Sequence, residues 1–336
     1  MRAAIYGLEG LELTDRERDF FRDADPAGFI LFRRNCETPG QLLALTDSLR
    51  GLSGRSDLPI LIDQEGGRVA RMRPPEWPAF PTAERFAQLY VLAPSSAIEA
   101  ARSNARAIAL TLRDCGINVN ALPLLDVRQE GASDIIGDRA LGSEPMQVAA
   151  LGRAVLDGMA SAGVVGIVKH MPGHGRALVD SHKELPVVPA SAETLETDLE
   201  PFERLSWAPM GMTAHVVYDA WDAERPASLS PIVIGEIIRG RIGFDGFLMS
   251  DDIGMEALAG DFGSRASGVV AAGCDVALHC SAKIEEMVAV AGAVEAMGAE
   301  SEARLARAMA TTMIDYDGGE DFAESVAKRD ALLALV

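Results

Sequence analysis

Ionisable side chains gather in a few short stretches of this sequence. The first is Asp63-Gln64-Glu65-Gly66-Gly67-Arg68, with Arg71 just beyond it. Asp126 and the pair Asp138-Arg139 come next, then Lys169-His170-Met171-Pro172-Gly173-His174-Gly175 and Asp180-Ser181-His182. His215 and Ser250-Asp251-Asp252 complete the set. Asp180 and His182 stand two residues apart, so in an extended loop both side chains project to one side. There a carboxylate bonded to one ring nitrogen would fix the tautomer and raise the basicity of the other, making a proton shuttle near neutral pH. A solvated turn with no role is the other reading of that spacing. Asp251 leaves an apolar run, where partial desolvation suits a carboxylate nucleophile. Neighbouring residues of a strand face opposite ways, so only one of Asp251 and Asp252 is expected in a pocket, while the other caps the following helix. Four of the five histidines fall in these stretches. Any one alone reads more readily as a hydrogen-bonded structural residue.

Chemistry of this kind needs elements that bring distant segments together. Eight short apolar runs, at residues 3–7, 28–32, 59–63, 117–121, 164–169, 209–214, 246–250 and 274–278, alternate with longer stretches of helical spacing. Several of the runs lack polar alternation, as strands buried on both faces should. Thr14 and Glu17 are spaced for a capping box, and a helix beginning at Ser95 is expected to stop at Gly116. Residues 143–163 behave likewise. Eight strand–helix repeats predict an α/β fold, a single (β/α)₈ TIM-type barrel whose active site sits at the C-terminal strand ends. Those ends are where the reactive stretches fall. A doubly wound sheet is the competitor, but no GxGxxG or GxxxxGK[ST] follows any of the runs, and no nucleotide cofactor is expected. No linker or low-complexity tract marks a boundary, so residues 1–336 are expected to form one catalytic domain.

Composition narrows the partners. Fifty acidic against 31 basic residues give a formal charge of −19 over 336 residues, a field that repels phosphate backbones and anionic lipid and argues against nucleic acid. No apolar stretch approaches membrane-spanning length, and the N-terminus reaches Glu9 and Glu12 before any long apolar run, so neither membrane nor secretion is expected. The four cysteines form no CxxC pair, as expected of reduced thiols in the cytoplasm.

Together the segments IDQEGGRVARM, IIGDRALG, KHMPGHG with DSHKELP, MTAHVVYD with PASLSP, and SDDIGMEAL resemble one family. They look like the single-domain bacterial β-N-acetylglucosaminidases of glycoside hydrolase family 3, the peptidoglycan-recycling branch. Ordered motifs span Ile62 to Leu258. The resemblance implies exo-hydrolysis of terminal N-acetyl-β-glucosamine from muropeptide fragments, with retention, through a covalent glycosyl-enzyme. It makes Asp251 the nucleophile and Asp180 with His182 an acid/base dyad, an exception to the two carboxyl groups that retaining glycosidases ordinarily use. It places Asp63 on ring hydroxyls, Arg71 and Arg139 around the sugar, and Lys169 with His170 beside the C3 and C4 oxygens. His174 and His215 look like scaffold, and Gly173 and Gly175 would let the dyad's loop move as a hinge. The sequence departs from the commonest motifs at Met171, where Phe is frequent, and at Ile253-Gly254, where Leu-Ser is usual. The resemblance does not extend to the second α/β sandwich domain that many relatives carry, which makes the dyad in the barrel necessary.

Three rivals stand beside this reading. A phosphorylase of the same family is one, because a neutral imidazole repels incoming phosphate less than a carboxylate would. A barrel metallohydrolase using His170, His174, His182 and His215 is another, although no HxH or HExxH occurs and no metal is expected. The third is a sugar-binding barrel without turnover.

Overall fold

The computed structural model describes residues 1–181, 183–313 and 319–336. Eight parallel strands close into a barrel: β1 (Arg2–Gly7), β2 (Pro26–Leu31), β3 (Ile60–Ile62), β4 (Val119–Asn120), β5 (Val165–Met171), β7 (Met210–Thr213), β9 (Phe247–Asp252) and β10 (Val276–His279). They follow chain order around the ring, and β1 pairs with both β2 and β10, so no edge is left open. Two further short strands, β6 (Val187–Val188) and β8 (Val217–Tyr218), pair in parallel outside the ring. The expected (β/α)₈ barrel is therefore the fold, and each of the eight apolar runs supplies one barrel strand.

Strand alternation sorts the apolar residues into two cores. Side chains such as Ile5, Leu61, Val165, Ile167, Met210, Met212, Phe247, Met249 and Val276 fill the barrel lumen. Their sequence neighbours, among them Ala4, Tyr6, Phe29, Ile60, Ile62, Val168 and Leu248, face outward. Against that outer face pack α1 (Asp15–Ala24), α2 (Pro39–Ser53), α3 (Ala83–Leu92), α4 (Pro94–Asp114), α5 (Pro145–Ala160), α6 (Ala192–Arg204), a π-type helix (Val233–Arg241), α7 (Phe262–Ala272) and α8 (Ile284–Ala293). Near the C-terminus, α9 (Ala299–Met309) brings Leu305, Ala308 and Met309 into the lumen cluster and closes the N-terminal mouth. The last helix, α10 (Phe322–Leu333), lies on α4.

Local signals behave as their chemistry dictates. Thr14 and Glu17 form the capping box at α1, with Glu17 fully buried. The helix expected from Ser95 begins one residue earlier, because Pro94 occupies the first helical position, where its missing N–H costs nothing. Gly116 follows that helix at φ +73°, a left-handed conformation glycine adopts freely. No helix among the described residues is long and apolar enough to cross a membrane.

Candidate active site

The period of two that fills the lumen also builds the site. Leu61 faces inward, so Asp63 does too; Ile167 leads to Lys169, and Phe247 with Met249 leads to Asp251. Ile30 leads to Phe32 in the same way, and Leu278 to Cys280. The last inward positions of these strands thus converge at the C-terminal mouth around a cavity of about 450 Å³. Arg71, Arg139, His170, His174, Asp180 and Ser181 complete its polar wall, while Ile135, Ile136, Met212 and Met255 add apolar surface. Lys169 and His170 both reach the cavity although they are adjacent. The β5–β7 register slips between Val168 and Met171, which interrupts the alternation there.

The floor of the cavity is a network of opposite charges. Lys169 Nζ lies 2.7 Å from a Glu65 oxygen and donates to Asp63 at 3.2 Å. Arg71 donates to the other Asp63 oxygen at 2.9 Å. Arg139 grips Glu65 with two N–H···O bonds of 2.8 Å each and gives a third N–H to the Ile135 carbonyl. This fork geometry fixes the guanidinium and leaves two of its five N–H groups for a ligand. Burial pushes the Asp63 carboxyl up, but Lys169 and Arg71 outweigh it and hold the group well below the usual carboxylate range. Lys169 and Arg139 do the same for Glu65. Lys169 is only 2% exposed, and the two carboxylates offset the cost of burying its ammonium group.

A second network orients the imidazoles. Asp126, wholly buried, accepts His170 Nδ1 at 2.8 Å and the backbone N–H groups of His170 and His174 at 3.1 and 2.7 Å. Burial raises this carboxyl and its bonds with His170 and His174 more than offset that, bringing it to about 2. With Nδ1 held by a carboxylate, His170 has Nε2 left for a ligand. Both nitrogens of His215 are engaged, Nδ1 with the Ser228 hydroxyl at 2.7 Å and Nε2 with the Asp252 carbonyl at 3.0 Å. Burial lowers its pKa, and the carbonyl requires Nε2 to carry the proton, so His215 is neutral and has no lone pair for a metal. Among the described residues no three His, Cys, Asp or Glu side chains group as a metal site.

Asp251 and Asp252 both line the cavity, contrary to the expectation that strand alternation would admit one. The reason is a slip in the β9–β10 register between Val276 and Leu278. Their carboxylates differ in what holds them. One Asp252 oxygen accepts the N–H of Gly254 at 2.9 Å and of Cys280 at 3.0 Å, tying down the turn after β9. Asp251 accepts the Asp252 N–H at 2.8 Å.

Asp63, Arg71, Arg139, Lys169, His170, Asp180 and Asp251 are thus brought to one cavity. His182 lies outside the described residues. The Asp180 carbonyl accepts the N–H groups of Lys183 and Glu184 at 2.9 and 3.1 Å. Gly173 and Gly175, expected as hinge points, also have a packing role. A Cβ on Gly175 would run into the Val127 carbonyl, and one on Gly173 would meet Asp198 Cβ at 2.9 Å, so both glycines serve close packing. Glu65 and Asp126 stand in the reactive stretches of the sequence, but their roles emerge only from their contacts with Arg139 and His170. Glu65 stands two residues after Asp63, which places it on the same face, and that spacing was the available signal.

Residues 3–313 match the glycosyl hydrolase family 3 N terminal domain. A β-hexosaminidase of Alkalilimnicola ehrlichii is 42% identical over 282 residues, covering 82% of this chain and 80% of its own. Another, from Methylococcus capsulatus, is 38% identical over 320 residues, 93% of each chain. The crystal structure of NagZ from Neisseria gonorrhoeae in complex with N-trifluoroacetyl-D-glucosamine matches with a TM-score of 0.85 at 31% identity, covering 99% of this chain and 96% of that one. The chain belongs to glycosyl hydrolase family 3, among its β-N-acetylhexosaminidases, and is a glycoside hydrolase.

Proposed function

We propose that the chain, acting as one catalytic domain over residues 1–336, removes terminal N-acetyl-β-D-glucosamine from peptidoglycan fragments with retention of configuration. The observation that carries this reading is the convergence of Asp251 with Asp63, Arg71, Arg139, Lys169 and His170 on one cavity. Asp251 Oδ attacks C1 as the bond from C1 to the leaving oxygen breaks. The His182 imidazolium, paired with Asp180, gives its proton to that oxygen. Water then attacks C1 of the glycosyl ester, its proton goes to the imidazole, and the Asp251 carboxylate is released. Sugar hydroxyls meet donors from Lys169, Arg71 and Arg139 and acceptors on Asp63, while His170 offers Nε2. The gonococcal NagZ structure holds N-trifluoroacetyl-D-glucosamine, which supports an amino sugar as the ligand here. A cytoplasmic place suits the four unpaired cysteines, three of them buried.

The test uses an aryl N-acetyl-β-glucosaminide. Asp251→Asn is expected to abolish turnover with an unchanged circular dichroism spectrum, and a slow fluorinated substrate is expected to label the peptide containing Asp251. A label elsewhere, or inverted product by NMR, overturns the assignment. Sugar 1-phosphate formed only when phosphate is added would identify phosphorolysis instead, and GlcNAc-anhydroMurNAc left intact by an enzyme active on aryl substrates would remove the proposed natural substrate.

A further inference from the structure

His174 is buried and takes no direct part in the chemistry just described, yet its bonds run from the barrel to the loop bearing Asp180 and His182. Its backbone N–H is held by Asp126 at 2.7 Å, and its ring sits edge-on to His170 with centroids 5.7 Å apart. At the other end, Nε2 lies 3.1 Å from the hydroxyl of Ser181, which is itself buried. Nδ1 has no partner. Burial, reinforced by His170, lowers the pKa of this imidazole to about 4, so it is neutral at working pH. An orphaned buried N–H is rarer than an orphaned acceptor, so the proton belongs on Nε2, which donates to Ser181 Oγ, and Nδ1 keeps the bare lone pair. The stem of the loop is pinned as well: Arg176 donates to Asp198 at 2.5 Å and to the Thr194 carbonyl at 3.3 Å, and Tyr218 donates to the Gly173 carbonyl at 2.7 Å. Beyond the stem, the bond to Ser181 draws the chain back to the cavity wall, where Ser181 and Asp180 are found.

We propose that His174 is a positioning residue for the acid/base group: it latches Ser181, the residue between Asp180 and His182, to the barrel. The proposal rests on the reading of Asp180 and His182 as the proton shuttle. It assigns His174 no contact with substrate.

The test compares methyl and 4-nitrophenyl N-acetyl-β-glucosaminides, since only the alkoxide leaving group depends strongly on protonation. Ser181→Ala and His174→Ala are expected to lose kcat roughly 10-fold or more on the methyl glycoside, about 3-fold or less on the nitrophenyl one, with KM little changed. His174→Gln, which can place an amide N–H near the Nε2 position, is expected to recover most of the loss. Equal losses on both substrates, or an unimpaired Ser181→Ala on the methyl glycoside, overturn the latch. His182→Ala is run in parallel: if it shows leaving-group selectivity and Ser181→Ala does not, the latch alone fails. If it shows none, the shuttle reading fails and the latch with it.

Discussion

Glu65 carries more of the site than its place in a run of polar residues suggests. It contacts Lys169 at 2.7 Å and Arg139 through two bonds, so it sets where two ligand-facing cations stand. Removing one partner from a buried ion pair leaves an uncompensated charge, which costs about 3–5 kcal/mol. Glu65→Gln is therefore expected to lower kcat/KM roughly 100-fold through misplaced donors and to lower the unfolding midpoint, checked by steady-state kinetics and thermal melts. Asp63, Lys169 and Asp251 were legible in the sequence because each continues an inward-facing series of apolar residues. The partnership of Glu65 with Arg139 was not, since 74 residues separate them and only barrel closure brings them together. The bond from His174 to Ser181 was hidden for a different reason. It depends on the path of a loop that no hydrophobic period describes.

Among the elements, α6 holds a titratable group with an unusual setting. Asp198 is 1% exposed; one of its oxygens pairs with Arg176 and the other has no partner among the described residues. Burial outweighs that single ion pair and raises the carboxyl to about 6. The unfolded value is about 3.9, so between pH 4 and 6 the folded chain binds more protons than the unfolded one. Stability from this group is therefore full below about pH 4 and is lost as pH rises through 6. Asp198→Asn removes that dependence. The stability of the parent relative to Asp198→Asn is expected to decline by up to about 3 kcal/mol between pH 4 and 7.5, read from denaturant midpoints at both values; a constant difference would reject the assignment. The elements themselves were the most legible level. Buried parallel strands read as apolar runs, and the Thr14–Glu17 box marks the start of α1. The β6–β8 pair is not among the eight apolar runs: each of its strands is two residues long and pairs outside the barrel.

The molecule as a whole is a closed barrel carrying 19 excess negative charges. Self-repulsion of that size destabilises the compact state and is screened by salt. Raising ionic strength from 0.02 to 0.3 M is expected to raise the unfolding midpoint, by roughly 2 °C for each kcal/mol of repulsion relieved; a calorimetric midpoint that falls would mean that favourable ion pairs dominate. The lumen has its own consequence. Met210, Met212, Met249, Met297 and Met309 lie in the inner cluster, each no more than 7% exposed. Thioether sulfur fills an irregular interior well, but its sulfoxide is polar and would have no hydrogen-bond donor among those aliphatic neighbours. An enzyme exposed to peroxide would thus be protected while the staves of the barrel stay shut, and once one of these sulfurs had taken up oxygen during a transient opening, refitting it inside would be disfavoured.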